Sequence, residues 1–372
     1  MKRKSNYRLK LVFVGMVAAM VLNSGSAKAD FTFGEPTNLG PSINTSANDW
    51  APCISADGLS IYFASARPGG YGGTYMGFDI WVATRETTED DWSTPVNVGL
   101  PVNSALDETQ PCISADGLSL FFDSYSRPGG IGGTDLWVAT RATVDDPWTE
   151  PVNLGPTVNT STNDNAPSLS ADGLSLFFQS CRAGVIGVVD LWATTRATRN
   201  DSWQEPMNLG PTVNSSSFDG FPDISADGLA LFFMSERPGG AGGRDVWMTT
   251  RRTTNEPWAT PVNLGPTVNT SAIEFSPDIS ADGYTIYFVS DRLGGFGSWD
   301  LWQASIIPIV DFNGDGIVDA EDICIMVDHW GTDNSLCDIG PMPWGDGIVD
   351  VQDLIVLAEH LFEEFPLIEL NR

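Results

Sequence analysis

Short runs of alternating hydrophobic and polar residues recur along the chain, and one such pattern returns five times. The segment P-C-I-S-A-D-G-L-S-I-Y-F-A-S at 52–65 has counterparts that begin at Pro111, Pro167, Pro222 and Pro277. In each copy a brief apolar piece leads into an A-D-G turn, and an alternating strand follows the turn. The turn aspartates are spaced by 59, 56, 55 and 55 residues. Repetition at this period predicts the blades of a propeller or the units of a solenoid.

Two further strand signals complete each repeat. D-I-W-V-A-T-R at 79–85 follows a glycine-rich loop and predicts a third strand, and P-V-N-V-G at 95–99 predicts a fourth. No pattern with the 3.6-residue period of a helix interrupts them. Each repeat therefore has four short strands, the number that forms one propeller blade.

The two ends of the repeat region predict a closed ring. The fifth repeat stops at 301–305 without its fourth strand, whereas the chain carries a lone copy of that strand, E-P-T-N-L-G, at 35–40. An open solenoid caps its ends with polar variants, but here the N-terminal copy supplies what the last repeat lacks. The predicted fold is all-β, a five-bladed β-propeller in which the N-terminal strand is outermost in the last blade. Closure of this kind hides the sheet edges.

The repeated core resembles that of the TolB-type propellers, which are related to the WD-like blades. The shared signature is P-D-x-S-x-D-G followed by an aromatic strand, as in P-D-I-S-A-D-G at 222–228, and the resemblance covers about 31–305. Propellers with these PD repeats serve mostly as binding scaffolds, although some carry enzymes, so the resemblance implies a fold more than a function.

The first 29 residues are typical of a secretory signal peptide. A basic start precedes the apolar run 11–22, and Ala27-Lys28-Ala29 places small residues at the cleavage positions, which predicts cleavage after Ala29. The alternative, a membrane anchor, is disfavoured because the run is shorter than the ~20 residues that span a bilayer. No later segment is apolar enough to span one. The expected location is secreted or at the cell surface.

Removal of the signal peptide makes the chain strongly acidic. It takes away six of the 19 basic residues and no acid, so 13 arginines face 48 acids and the formal charge becomes −35. A surface of this charge repels nucleic acid and anionic lipid and favours cationic or neutral partners.

An acidic loop follows the repeats and predicts a calcium site. D-F-N-G-D-G-I-V-D-A-E-D at 311–322 has oxygen donors at loop positions one, three, five, seven, nine and twelve and a glycine at the sharp turn. An apolar helix at 323–330 is expected after it. The predicted ligands, with Ile317 contributing its carbonyl, are Asp311, Asn313, Asp315, Ile317, Asp319 and Asp322.

A second copy of this loop lies 31 residues downstream, with a helix expected at 354–362. Met342 and Trp344 fall at its positions one and three, so it lacks two ligands unless the chain bulges and Asp338 takes part. The candidate ligands are Asp338, Asp346, Ile348, Asp350 and Asp353. Occupancy of this second loop stays open.

Two loop-helix halves with aspartate at position twelve resemble a type I dockerin, an EF-hand-like helical module. The resemblance covers 311–364 and implies Ca²⁺ as cofactor and a cohesin-like or other cell-surface protein as partner. In that family the partner is chosen near the helix starts, here Ala320-Glu321 and Val351-Gln352. The expected domains are the signal peptide 1–29, the propeller 30–307 and the dockerin-like module 308–372. Only 306–310 separate the last two, so rigid coupling is possible.

The propeller lacks the side chains of several enzyme classes. It has no lysine, and both histidines, His329 and His360, lie in the dockerin-like segment. Catalysis by a histidine-dependent triad and zinc held by histidine are therefore excluded there. Carboxylates remain, and one acid stands three residues before each repeat's proline. These five acids, expected at the channel mouth, are Asp49, Glu108, Asp164, Asp219 and Glu274.

Three interpretations of the five acids stay open. They form ion pairs or backbone contacts, they bind a ligand or cation, or two of them hydrolyse a glycosidic bond. Catalysis needs two carboxylates in different environments, which five near-equivalent copies do not offer. A partly exposed structural pair is expected to contribute about 1 kcal/mol or less. The loop arginines, such as Arg67, are expected to pair with the first residue of the third strand, such as Asp79.

Aromatic residues break the symmetry of the repeats near these acids. Their position suits contacts to a sugar, although packing against neighbouring residues explains them equally well. They are Trp50, Phe221, Phe275 and Trp299. The loops R-P-G-G-x-G-G lack a following helix start and are excluded as nucleotide sites.

The five cysteines give an odd count. Cys324 and Cys337 are the more plausible pair for a disulfide, because Cys53 and Cys112 lie on adjacent blades.

The leading hypothesis is a secreted, non-catalytic propeller that binds a glycan or a protein and is tethered through a calcium-dependent dockerin-like module. The alternative is a secreted, carboxylate-dependent glycoside hydrolase.

Overall fold

The structure is a computed structural model that describes residues 31–72, 76–334, 336–341 and 344–363. The predicted signal peptide lies outside the described residues, as does Met342. Two short strands come first, β1 (Phe31–Phe33) and β2 (Thr37–Asn38). Two blades follow: β3 to β6 (Asp49–Ile54, Ser60–Ser65, Asp79–Thr84, Val96–Asn97) and β7 to β10 (Glu108–Ile113, Ser119–Tyr125, Thr134–Thr140, Val152–Asn153). The other three are β11 to β14 (Asp164–Leu169, Ser175–Ser180, Asp190–Thr195, Met207–Asn208), β15 to β18 (Asp219–Ile224, Ala230–Ser235, Asp245–Thr250, Val262–Asn263) and β19 to β21 (Glu274–Ile279, Thr285–Ser290, Asp300–Pro308).

Each blade is an antiparallel meander in the order of the sequence, so the four predicted strands per repeat are confirmed. The first strand of each blade packs against the first two strands of its neighbours, around the axis of the ring. Aromatic residues of the second strands, such as Phe63, Phe122 and Phe178, are fully buried. They lie in the hydrophobic clusters that the blades share, and the second strands are buried on both faces and not at alternate residues as the pattern predicts.

Each innermost strand carries a β-bulge at the residue before its proline. These residues have φ between 50° and 56°, and they are Ala51, Gln110, Ala166, Phe221 and Ser276. The strand register shifts at the same place in every blade. The left-handed backbone conformation is rare for residues other than glycine and rarer before proline. Packing within the ring therefore holds all five residues in this conformation.

The predicted ring closure is confirmed. Thr37 and Asn38 of β2 pair with Gln303 and Trp302 of β21, which makes β2 the outer strand of the last blade. In addition, β1 pairs with the last three residues of β21, a contact that the repeat pattern does not contain.

A side-chain amide ties each connection between blades to the preceding blade. Asn44 accepts the N–H of Leu301 at 2.8 Å and donates to its carbonyl at 2.9 Å, across the closure of the ring. The same two-way bond joins Asn159 to Leu136. Equivalent bonds are made by Asn103, Asn214 and Asn269. The N-terminal segment is therefore held as firmly as any other connection.

Two helices follow the propeller, α1 (Ala320–Asp328) and α2 (Val351–Glu359). Both begin three residues earlier than the apolar pattern predicts, because Asp319 and Asp350 cap them with a capping box. His329 and His360 are the C-cap residues. Within the described chain, neither helix has the length and apolar character needed to cross a membrane.

Candidate functional site

The ten connections at one end of the propeller form a surface that we call the loop face. It consists of the glycine-rich loops between second and third strands and the connections between blades. The described parts of the glycine-rich loops are 66–72 with 76–78, 126–133, 181–189, 236–244 and 291–299, and the connections are 39–48, 98–107, 154–163, 209–218 and 264–273. The opposite end, with the A-D-G turns, is called the turn face.

The five acids that recur at the same position of each repeat lie inside the blades. Asp164, for example, is fully buried, and its Oδ1 accepts from the Ser180 hydroxyl and from Arg182, both at 2.6 Å. Its other oxygen accepts the N–H and hydroxyl of Thr160. The same arrangement occurs in all blades, with the pairs Asp49–Arg67, Glu108–Arg127, Asp164–Arg182, Asp219–Arg237 and Glu274–Arg292.

This burial corrects the expectation that the acids surround an open channel mouth. Each carboxylate is 0% exposed, so it has no surface to offer a ligand or a glycosidic bond. The arginine bends over the ring of the third-strand tryptophan, as Arg182 does over Trp192 at 5.1 Å, and it closes the site from above. Of the three interpretations, the structural ion pair matches the geometry.

The predicted pairing of the loop arginines with the third-strand aspartates is wrong. Those aspartates hold the glycine-rich loops by their backbone instead: Asp190 accepts the N–H of Ile186 at 2.6 Å and of Gly187 at 3.0 Å. A short carboxylate at the start of a strand can reach its own preceding turn, whereas the arginine extends toward the innermost strand. Equivalent bonds fix Tyr71, Ile131 and Phe296.

The loop tips are the exposed residues that the sequence reasoning missed. The residue four positions after each loop arginine is exposed, and the five tips are Tyr71, Ile131, Ile186, Ala241 and Phe296. Tyr71 and Phe296 expose 49% and 48% of their surface. A fixed offset from the arginine, with apolar residues between glycines, was the signal that could have revealed them.

Glycines bring neighbouring loops into contact. A Cβ at Gly187 would collide with the backbone carbonyl of Ser217 in the next connection, and the same holds for Gly132 against Thr162. Gly242 and Gly297 approach Ala272 and Ala47 in the same way, so four of the five glycine-rich loops rest on the following connection, which pre-orders them.

The loop face exposes few charged side chains although the chain is strongly acidic. Its ten segments hold six arginines and three acids, and the ten acids at the starts of the first and third strands bring the formal charge of this end to −7, but all ten are buried. Arg244 pairs with Glu236 at 3.0 Å, and Asp107 accepts the N–H groups of Met76, Gly77 and Phe78. Exposed serines recur at one position of the connections, namely Ser46, Ser161, Ser216 and Ser271.

The four symmetry-breaking aromatics come together in one cluster. Trp50 lies 5.7 Å from Trp299, 5.9 Å from Phe275 and 6.3 Å from Phe221, measured between ring centroids. Phe221 and Phe275 are buried, whereas Trp50 and Trp299 are partly exposed. Packing therefore explains the two phenylalanines, and ligand contact by the two tryptophans stays a prediction.

A second feature that sequence reasoning missed is a ring of hydrogen bonds around the axis. The residue after each proline accepts the backbone N–H of the adjacent blade, for example Asp278 from Ile54 at 2.8 Å and Cys53 from Ile113 at 3.3 Å. The five acceptors are Cys53, Cys112, Ser168, Asp223 and Asp278. The two cysteines are therefore structural acceptors. The disulfide expected between Cys324 and Cys337 is not formed, because Cys324 is a free thiol.

Two of the axial acceptors are acids in a dry environment. Burial raises the pKa of Asp223 to about 7, and burial with the nearby Asp223 charge raises the pKa of Asp278 well above its usual range. They line a small central cavity together with the five repeat prolines. Both carboxyls accept a backbone N–H that joins neighbouring blades.

The C-terminal loops share one hydrogen-bond pattern. In the first, Asp311 accepts the N–H groups of Gly314 and Gly316, and Asp322 accepts that of Phe312. Asp315 and Asp319 each cap the residue two positions later. Among the described residues, no three acidic, histidine or cysteine side chains converge closely enough to hold a metal ion.

In the second loop, Asp338 takes the role of Asp311. It accepts the N–H groups of Asp346 and Gly347 at 2.9 and 2.8 Å, as Asp311 does with Asp315 and Gly316 at 3.2 and 2.8 Å. Asp353 accepts from Ile339 as Asp322 accepts from Phe312. The bulge that would bring in Asp338 is therefore present, and the alignment that put Met342 at position one is corrected.

Comparisons with known proteins find similarity to solved structures only. No protein family profile and no curated protein matches this chain. It resembles TolB from Acinetobacter baumannii (16% identity, TM-score 0.44) over 70% of this chain and 54% of TolB, so it spans about half of that protein. It also resembles α-L-arabinofuranosidases from Podospora anserina (13%, TM-score 0.47, covering 74% and 96%) and Coprinopsis cinerea (10%, TM-score 0.48, covering 75% and 98%). Identities and TM-scores this low carry no information about binding or activity.

Proposed function

We propose that the propeller is a non-catalytic module that binds a neutral glycan on its loop face, and that the C-terminal module tethers it to a partner protein in a calcium-dependent manner. The observation that carries the proposal is that the loop face exposes few charged side chains, on a chain of formal charge −29. A binding surface for an uncharged ligand has to be free of unpaired charge, because each charge left without water or a partner costs binding free energy.

The chemistry of the loop face suits a glycan. Exposed Tyr71 and Phe296 offer rings on which the apolar face of a sugar can rest, and the exposed serines offer donors and acceptors for hydroxyl groups. The backbone N–H groups of Tyr71 and Phe296 donate to Asp79 and Asp300, so little ordering entropy is lost on binding. A protein ligand, the other occupant considered from the sequence, uses larger apolar areas and becomes an outcome of the test.

A hydrolase finds no support in the geometry. Glycosidases of this kind need two accessible carboxylates at about 5–10 Å from each other, one of them protonated. The five repeated acids are buried and held by arginine, with no surface facing solvent. Binding without cleavage is therefore the function that fits.

We expect the double substitution Tyr71→Ser and Phe296→Ser to weaken glycan binding by at least about tenfold, which corresponds to roughly 1.4 kcal/mol. Both rings are exposed, so their loss leaves the core intact. Binding of the mature chain to insoluble neutral and acidic polysaccharides, measured by depletion, is the test. Retention on neutral polysaccharides alone is expected.

Val152→Ser serves as the control, because this exposed side chain lies on an outer strand away from the loop face. Equal loss of binding in the control would reject the loop face as the site. Release of sugar products by the wild-type chain would favour the hydrolase, and failure to retain any polysaccharide would favour a protein ligand.

The donor set of the first C-terminal loop fits calcium. Its ligands are hard oxygens at the expected spacing, and Gly316 has the φ of +89° that the sharp turn needs. A carboxylate has about four lone-pair sites, so Asp311 can keep its bonds to backbone N–H groups and still contribute to a cation site. The second loop offers Asp338, Asp346, Asp350 and Asp353, with Trp344 in place of the third ligand. When bound, calcium supplies charge neutralisation that orders the loops and the helix starts proposed to meet a cohesin-like partner.

Asp315→Asn is expected to lower the calcium affinity of the first loop by at least about tenfold, because a charged ligand is lost. Asp315 is exposed and bonds only within its loop, so the fold should be retained. Calorimetric titration of the chelator-treated mature chain measures the change. Asp328→Asn, an exposed acid at the end of α1, should leave affinity unchanged. The absence of any calcium uptake by the wild type would reject the calcium proposal.

A further inference from the structure

The two acidic loops differ by one insertion. The hydrogen bonds align Asp338 with Asp311 and Asp346 with Asp315. Asp346 lies eight positions after Asp338, whereas Asp315 lies only four positions after Asp311. The extra four residues fall between Ile339 and Trp344. Gly345 and Gly347 keep the positive φ values of Gly314 and Gly316, so the rest of the loop is unchanged.

The residue that follows this insertion reaches the propeller. The Trp344 indole N–H donates to Asp227 Oδ2 at 2.9 Å. Its ring lies 5.8 Å from Phe232 and 6.5 Å from Phe31, in edge-on geometry with both. Among the described residues, the hydrogen bonds of Asn313, which holds the same place in the first loop, all stay within its own loop and the following helix.

The residues that contact Trp344, which are Asp227, Phe232 and Phe31, form what we call the Trp344 socket, and it lies at the turn face. Asp227 is in the A-D-G turn of the fourth blade, and Phe232 is the third residue of its second strand. Phe31 comes from β1, the strand that pairs with the end of β21. Two contacts flank the socket: Arg252 pairs with Asp333 at 2.7 Å, and Gly347 lies against the Arg252 side chain.

We propose that Trp344 is a docking residue that fixes the C-terminal module on the turn face of the propeller. An aromatic ring with one polar edge is the residue type that anchors interfaces, because it buries apolar area and satisfies its donor at once. At position three, the second acidic loop therefore has Trp344, which makes this contact, in place of a cation ligand. The first acidic loop and α1 take no part in this contact.

The docked arrangement sets the direction of the tether. With the module on the turn face, a partner bound to it lies on the side of the ring opposite the loop face. This consequence rests on the proposed function, whereas the docking itself does not.

Substitutions on both sides of the contact test the docking. Trp344→Ala in the mature chain is expected to increase the maximum dimension in small-angle X-ray scattering and to separate the unfolding of the module from that of the propeller. The control is Trp330→Ala, because Trp330 is a 46%-exposed tryptophan at the end of α1.

The second variant leaves the module sequence untouched. Asp227→Asn keeps Oδ1, which accepts from Ser225 and Leu229 within the turn, but replaces the acceptor that faces the indole with an N–H donor. We expect the same scattering change as for Trp344→Ala. Asp172→Asn, in the same turn of the third blade, should behave as wild type.

Scattering and melting curves equal to wild type in both Trp344→Ala and Asp227→Asn would overturn the proposal. An effect of Trp344→Ala alone would also count against it, since that result assigns the tryptophan to the module's own fold. Neither measurement involves a glycan, so docking and the proposed function can fail separately.

Discussion

A chain that lacks the predicted signal peptide (1–29) and residues 31–40 is expected to unfold at least about 10 °C below the chain that lacks only the signal peptide, or to fail to fold. The deletion removes β1 and β2 and leaves β21 as an open edge. It also removes Phe31 and Phe33, and losing one buried phenylalanine costs about 3–5 kcal/mol. For a domain of this size, each kcal/mol lowers the melting temperature by roughly 2–4 °C. Differential scanning calorimetry measures the change.

A shorter deletion separates the two strands. A chain without 31–34 keeps β2 and the Asn44–Leu301 bonds, and it loses only β1 and one wall of the Trp344 socket. It is expected to melt between the wild type and the longer deletion. A melting curve unchanged by the longer deletion contradicts closure of the ring by the N-terminal strand.

The fold could be predicted largely from the repeat. Strand count, strand order and closure follow from residues that recur at fixed offsets, because each blade solves the same packing problem. The pairing of β1 with the end of β21 could not be predicted, since it occurs once. The two helices begin earlier than predicted because capping by Asp319 and Asp350 sets their starts, and an apolar pattern does not register a cap.

The site was predicted less well, and the reason is burial. An acid and an arginine that recur in every blade identify a pair but not which acid the arginine meets. Asp49 and Asp79 start the first and third strands, which flank the second strand and begin at the same end of the blade, so spacing alone allowed either partner for Arg67. In the structure Arg67 pairs with Asp49. The hydroxyl of Ser65, which follows the apolar run of the second strand, also donates to Asp49.

The axial ring was missed for a related reason. Cys53, Ser168 and Asp223 have little in common as residue types, and only their shared position shows that each accepts one N–H from the next blade. The chemistry common to them is a short side chain with an acceptor atom. A repeat alignment that grouped residues by this property could have found the ring.

The buried ion pairs are expected to contribute much more than the 1 kcal/mol that suits a partly exposed pair. Arg182→Met should lower the free energy of unfolding by about 3–5 kcal/mol, because it leaves the Asp164 carboxylate, which is 0% exposed, without its counter-charge. Asp164→Asn should also destabilise the chain, since an amide cannot accept all four bonds now made to the two oxygens. Denaturant unfolding of the mature chain measures both.

Arg199→Met is the matched control, because Arg199 pairs with Asp116 at 2.5 Å while both side chains are well exposed. Exposed pairs contribute about 0–1 kcal/mol, so this variant should stay close to wild type. If Arg182→Met costs no more than Arg199→Met, the carboxylates of the innermost strands do not depend on arginine in the folded chain. The free acids would then again be candidates for ligand binding, and the case for a purely structural ring of ion pairs would fall.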